Sequence, residues 1–246
     1  MNLIQIGSYQ VISCNYPSSV EMIIHSILNN EKIIFSHINL YNFYLLKKFS
    51  EDDNLLLYPG IYFFEGIGLK IIMLLFGKKF KHDINGTDLY PVLFKKLIEN
   101  RLSVFLVGST NEVIEKVNSN LNKDYPALLI KNYQAGYFTI DEENNVIAEI
   151  NESSPDLLIL GMGMDKELAF ISRHYNELKV KAIWNVGGLF DFISGTKPRA
   201  PKILRIIRFE WLFRFMLDPG HKFFRNFFVP FWFIFHYTLI KIKKNL

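Results

Sequence analysis

The sequence predicts an α/β fold: a Rossmann-like, mostly parallel sheet with helices on both faces, followed by a basic, aromatic, helical C-terminal appendage. Three observations carry that expectation. Short apolar runs alternate with longer amphipathic segments through the first 195 residues, the pattern of βαβ crossovers. Glycines follow several of the apolar runs, where strands of such a sheet turn into helices. The composition then changes sharply, so the predicted division is a core over 1–195 and an appendage over 196–246.

In chain order, KIIFSHIN (32–39) reads as a strand and LYNFYLLKKFSED (40–52) as the helix after it. NLLLYPG (54–60) reads as a second strand ending in a Pro–Gly turn. GIGLKIIMLLFG (66–77) is an apolar helix, too short and too interrupted by Lys70 to span a bilayer. LSVFLVG (102–108) is a strand, and STNEVIEKVNSNL (109–121) a helix that Ser109 or Thr110 is placed to cap. ALLIKNYQAGYF (127–138) leads from strand to glycine turn, and NNVIAEINESS (144–154) is helical. PDLLILGMG (155–163) and VKAIWNVGG (180–188) are strands on either side of the helix DKELAFISRHYNEL (165–178). Gly108, Gly161, Gly163, Gly187 and Gly188 thus fall at the carboxyl ends of strands. There they either close tight turns or let backbone amides approach a phosphate.

The composition narrows the function classes. With 50% hydrophobic and 21% charged residues, the 246-residue chain is globular rather than disordered. Its one cysteine, Cys14, gives no intramolecular disulfide. The first residues lack a basic region followed by an apolar stretch, so a cytoplasmic location is expected. Residues 202–246 hold nine Lys and Arg against two acids, Glu210 and Asp218, although the whole chain is only +4. That asymmetry calls for an anionic partner. The same stretch holds thirteen Phe, Trp and Tyr, which favours an anionic membrane surface over nucleic acid. FFVPFWFIFHYTLI (227–240) is uncharged over fourteen residues and contains Pro230, whereas a spanning helix needs about 20 residues. It is expected to lie on a membrane; packing on the core or on another subunit is the competing expectation.

NGTDLYPVLF (85–94), VFLVGS, AGYF (135–138), SPDLLILGMG, NVGGLFDFISGTKPRAP (185–201) and FEWLFRFMLDP (209–219) occur in an order that resembles the WecG/TagA/CpsF glycosyltransferases, over residues 39–225. The resemblance implies a Rossmann-like core with a C-terminal appendage. It implies metal-independent, inverting transfer of a sugar from a UDP-sugar to a polyprenyl-diphosphate-linked acceptor, without any cofactor. N-acetylmannosamine, its uronic acid and a hexose are the implied donor sugars, in cell-surface polysaccharide assembly at the cytoplasmic face of the membrane. The appendage implies arginines for the active site, membrane contact, and a homo-oligomer among the expected partners. A non-catalytic member binding a lipid-linked sugar or a partner enzyme stays open as the alternative.

Residue by residue, the resemblance places Glu65 of FEGIG where the family carries its catalytic Asp–Gly–x–Gly aspartate; a helix N-terminal anion is the competing reading. His37 and Asn39 fall on the family's Thr–x–Asn, as substrate-binding candidates. Asp88 falls on the family's Thr–Gly–x–Asp, where capping a helix competes with binding. Asp83 replaces an arginine. After the GxG, Lys166 is kept and Glu167 replaces a glutamine. An acid gained twice near a diphosphate is expected to weaken donor binding, with Lys81 and His82 as compensating candidates. Gly136 belongs to AGYF; Gly187, Gly188 and Asp191 belong to the GG-x-F-D segment; Arg199 reads as a structural clamp. Arg214 of EW-x-x-R is the implied group for neutralising the UDP leaving group. His221 and Arg225 stand near two further family arginines.

Overall fold

A computed structural model describes residues 2–6, 9–52, 58–206, 209–217 and 219–244. Eight strands form one sheet in the order β1-β2-β4-β3-β8-β7-β5-β6. These are β1 (Asn2–Ile6), β2 (Tyr9–Ser13), β3 (Ile33–Ile38), β4 (Gly60–Phe64), β5 (Ser103–Gly108), β6 (Leu129–Gln134), β7 (Leu157–Gly161) and β8 (Ala182–Asn185). Every pairing is parallel except β1 with β2. β5, β7 and β8 are buried along their whole length, which is why they read as unbroken apolar runs rather than alternating ones.

The helices divide between the two faces. On one lie α2 (Leu40–Asp52), α3 (Ile67–Leu75), α6 (Ile140–Ser153) and α7 (Met164–His174), around Phe43, Leu69, Ile150 and Phe170. On the other lie α1 (Tyr16–Leu28), α4 (Gly86–Glu99), α5 (Asn111–Asp124) and α8 (Leu189–Ile193), around Ile23, Leu93, Val117 and Phe190. β3 feeds α2 on the first face and its neighbour β8 feeds α8 on the second. The loops therefore diverge above the carboxyl ends of β3 and β8, where a crevice suited to a ligand opens in sheets of this kind.

Three sequence expectations need correction or completion. The strand expected over 54–60 begins at Gly60 and runs to Phe64; residues 54–57 of that expectation lie outside the described residues. Pro59 has no N–H to give a ladder, but its carbonyl still accepts from Ile34 N at 3.0 Å, so it stands just before the strand. The antiparallel partner strand β1 and the helix α1, capped by Asn15, were not read from the sequence. Thr110, not Ser109, caps α5.

After α8 the chain continues as α9 (Lys202–Ile206), α10 (Glu210–Leu217), α11 (Pro219–Phe223), a π-helical turn (Phe224–Phe228) and α12 (Val229–Lys244). Pro230 stands directly after the π-helical turn in a continuous helical run, and such a widened turn is where a helix accommodates a residue without an N–H. Val229, Phe233 and Tyr237, spaced four residues apart, are buried; Phe233 meets Phe43 edge-on at 5.0 Å and Tyr237 meets Phe76 at 4.7 Å. Phe231, Phe235 and Leu239 project from the helix into solvent. One stripe of tail aromatics therefore completes the core, and another remains exposed. Among the described residues no helix is long and apolar enough to cross a membrane.

Candidate active site

The site is built at the carboxyl edge of β3, β4, β7 and β8. Glu65 follows β4 directly, and its backbone N–H is held by Ile38 O at 2.9 Å, so the end of β4 is fixed to the end of β3. Asn39, the next residue on β3's side, uses both ends of its amide. Its Oδ1 accepts from Asn42 N at 2.9 Å, turning the chain into α2, and its Nδ2 donates to Glu65 Oε2 at 3.0 Å. The amide orientation is thereby fixed from two directions, and Glu65 is a half-buried carboxylate with one oxygen already aimed.

His37, in contrast, is buried and committed internally. Trp184 Nε1 lies 3.2 Å from its Nε2; indole nitrogen only donates, so Nε2 is bare and the proton is on Nδ1. That Nδ1–H donates to Ile84 O at 3.1 Å. The ring bridges β3, β8 and the segment entering α4, and both nitrogens are spent on the frame.

The two acid replacements have clear structural partners. Asp83 Oδ1 accepts from Gly66 N at 2.9 Å, tying the loop before α4 to the turn after Glu65. Glu167, with no exposed surface, accepts from Met162 N and Gly163 N at 3.0 Å each, and from Gly187 N at 3.3 Å. It fastens the glycine turn after β7 to the one after β8. Burial pushes its carboxyl up to about 8, against the opposing pull of the three amides. Glu65, Asp83 and Asp88 all bear on the hydroxyl of Tyr16, which burial above all pushes up to about 12; this corner of the site is acidic. Lys81 is exposed and His82 partly so.

Asp88 lies in the first turn of α4, but the cap is Asn85, whose Oδ1 accepts from Thr87 N at 2.9 Å. Asp88 instead pairs with Arg199 at 2.5 Å, clamping the segment after α8 onto α4. Asp191 pairs with Lys197 and closes the same segment.

The glycines separate into two kinds. A Cβ on Gly108 would meet Gly161 O at 2.3 Å, one on Gly161 would meet the Phe190 ring at 2.4 Å, and one on Gly136 would meet Met162 Cγ at 2.5 Å. Close packing alone requires glycine at these three. Gly163, with φ +95°, starts α7, and nothing stands within 4 Å of a Cβ on Gly187, so that turn is open. Gly188 is exposed above Asp191.

Cationic groups rim the edge. Lys166 lies in the first turn of α7, its Nζ 4.2 Å from the Tyr137 ring centroid. Arg214 pairs with Glu210 at 2.6 Å and lies over the Phe192 ring at 4.6 Å, which sets α10 beside α8 just past the Gly187–Gly188 turn. Arg225, in the π-helical turn, acts on Tyr41, two residues beyond Asn39. Burial and the Asp165 carboxylate push that hydroxyl up while Arg225 pulls it down. The side chain of His221 lies outside the described residues.

One residue at this edge escaped the sequence reading. Asn185 ends β8 fully buried, its Nδ2 only 3.9 Å from Met164 Sδ, and its Oδ1 has no hydrogen-bond partner. A polar residue closing an otherwise apolar strand was the available signal.

Comparison with known proteins places these features in context. A family model described as "Glycosyl transferase WecG/TagA/CpsF family" matches residues 4–245. The chain is 32% identical over 165 residues to an N-acetylglucosaminyldiphosphoundecaprenol N-acetyl-beta-D-mannosaminyltransferase of Staphylococcus aureus (strain NCTC 8325 / PS 47), covering 67% of this chain and 63% of that protein. It is 33% identical to the protein of the same name from strain MRSA252, with the same coverage. The chain thus spans less than two thirds of the length of these relatives.

Proposed function

The chain belongs to the WecG/TagA/CpsF glycosyltransferase family, and from that premise we propose that it moves a sugar from a UDP-sugar to a polyprenyl-diphosphate-linked acceptor. The observation that carries the reading is the aimed carboxylate, Glu65 Oε2 held by Asn39 Nδ2 at 3.0 Å at the carboxyl edge of the sheet. In an inverting transfer, Glu65 takes the proton from the acceptor hydroxyl as that oxygen bonds to the anomeric carbon. The bond from that carbon to UDP breaks on the opposite face, and the diphosphate leaves with the electron pair. Arg214 and Arg225 at the rim meet that charge.

The printed name of the relatives suggests a sugar-diphosphoundecaprenol acceptor and N-acetylmannosamine as one donor sugar. Its uronic acid or a hexose are the other candidates. Asp83 and Glu167 do not project unpaired charge at the donor: each is engaged by backbone N–H groups of the loops themselves. Asp83 nevertheless adds a carboxylate beside Glu65, since it accepts from the N–H of the next residue, Gly66. That acidic corner suits a neutral donor sugar better than an anionic uronic acid.

Residues 196–246 act as a membrane-associating appendage that holds the protein to the cytoplasmic face. The exposed aromatics of α12 enter the headgroup boundary, and the chain's terminal lysines meet anionic lipid. A panel of radiolabelled UDP-sugars, offered with a polyprenyl-diphosphate-sugar in liposomes, tests the reading. Transfer from one neutral UDP-sugar, with Asn39→Ala lowering kcat, supports it; absence of transfer from every donor by vesicle-bound protein overturns it.

A further inference from the structure

Two adjoining cavities open beside the catalytic edge. The first, of about 450 Å3, is lined by Tyr41, Tyr44 and Lys48 of α2 and by Asp165 and Lys166 of α7. The second, of about 310 Å3, is lined by Tyr44, Lys47 and Lys48 of α2 and by Trp232 and His236 of α12. Tyr44 and Lys48 belong to both, so the two form one groove. It starts two residues from Asn39 and ends beneath the helix whose outer face carries Phe231 and Phe235. From Tyr41 to Lys48 it follows α2 for about 10 Å, at the usual helical rise.

The chemistry of its walls changes along that length. At the catalytic end, Lys48 and Lys166 face one cavity from opposite helices, opposed only by Asp165 among its charged lining residues, and Arg225 acts on the adjoining Tyr41. Farther out, the Tyr44 ring stands perpendicular to Trp232 at 4.9 Å and meets Phe224 edge-on at 5.7 Å, making an aromatic wall. A ligand matching this sequence of surfaces has a small anionic group followed by an apolar chain.

We infer that this groove between α2, α7 and α12 seats the lipid end of the acceptor: its diphosphate between Lys48 and Lys166, its first isoprenoid units along the wall that Tyr44 and Trp232 make together. The inference rests on the proposed transfer reaction for the identity of the acceptor. It adds the path by which a membrane-borne substrate reaches Glu65. The acceptor sugar lies between Glu65 and the cavity mouth, and the chain passes under α12 toward the bilayer. UDP has the same diphosphate chemistry but no apolar chain, which leaves the aromatic outer half without a ligand.

The test is photolabelling of the full chain in liposomes by a polyprenyl-diphosphate-sugar carrying a diazirine on its first isoprene units, with transfer measured in parallel. Labelling of peptides containing residues 41–48 and 231–236, unaffected by UDP, is the expected result. Lys48→Glu changes an exposed residue and should leave the fold intact. It is expected to lower labelling and raise KM for the lipid acceptor roughly five- to tenfold, with KM for the UDP-sugar unchanged. Labelling confined to other peptides overturns the inference. So does displacement by UDP, which would mark a donor site, or equal labelling by a phospholipid bearing the same diazirine, which would mark a general membrane contact. Labelling of the groove without any transfer would support the lipid seat while removing the catalytic reading.

Discussion

At the level of single residues, Glu65 stands out because the side chain that holds it is itself held. Asn39 is fixed by its bond to Asn42 N, so its donation to Glu65 is pre-organised rather than adaptable. Glu167 shows the opposite economy, since a fully buried carboxyl holds two loops together. Its native value, raised from 4.5 to about 8, means the folded protein binds the extra proton between those limits. Stability therefore falls as pH rises through that window. Thermal melts at several pH values should show this decline, by roughly 3 °C or more, and Glu167→Gln should flatten it. A wild-type melt insensitive to pH in that range would contradict the burial argument. The Asp88–Arg199 clamp is more exposed, so a double-mutant cycle with Asp88→Asn and Arg199→Lys should give only about 0.2–1 kcal/mol of coupling. The family motif singled out Glu65, Asn39 and Arg214 in the sequence, and the first two prove to be hydrogen-bonded to each other. The commitments of His37 and Glu167 were not legible there, because their partners, Trp184 and Gly187, come from strand β8 or its turn. In a linear reading DKEL looks like a solvated first turn.

Elements were legible in proportion to their burial. β5, β7 and β8 are continuous apolar runs between turn residues, and the sequence marks them directly. The boundary of β4 was missed because LLLY and IYFF are equally apolar, and only the position of Pro59 beside Ile34 distinguishes them. The tail was legible in composition and not in geometry: nothing in FFVPFWFIFHYTLI says which aromatics face inward. The four-residue spacing of Val229, Phe233 and Tyr237 decides it once α12 is set against α2 and Phe76. Two substitutions on this helix should then behave differently. Phe233→Ala removes a fully buried ring and should cost about 3–5 kcal/mol, read by denaturant unfolding. Phe235→Ser alters an exposed ring, and should leave unfolding within about 0.5 kcal/mol of wild type while weakening vesicle co-sedimentation. If both substitutions acted only on stability, the outer stripe would have no membrane role.

For the whole molecule, the sheet topology and the tail converge on one edge. β3 and β8 send their helices to opposite faces and open the crevice. β4 delivers Glu65 beside it, and α10 and the π-helical turn bring Arg214 and Arg225 to its rim. The arrangement suits the proposed reaction between a soluble nucleotide-sugar and an acceptor that never leaves the bilayer. The most direct measurement is single-turnover transfer of labelled sugar to a polyprenyl-diphosphate-sugar in liposomes, with wild type beside Glu65→Gln. The account predicts transfer by wild type, a drop of about 10²–10⁴ in rate for Glu65→Gln, and equal vesicle binding and melting for both. Equal rates in the two proteins would contradict the assignment of Glu65 as the base.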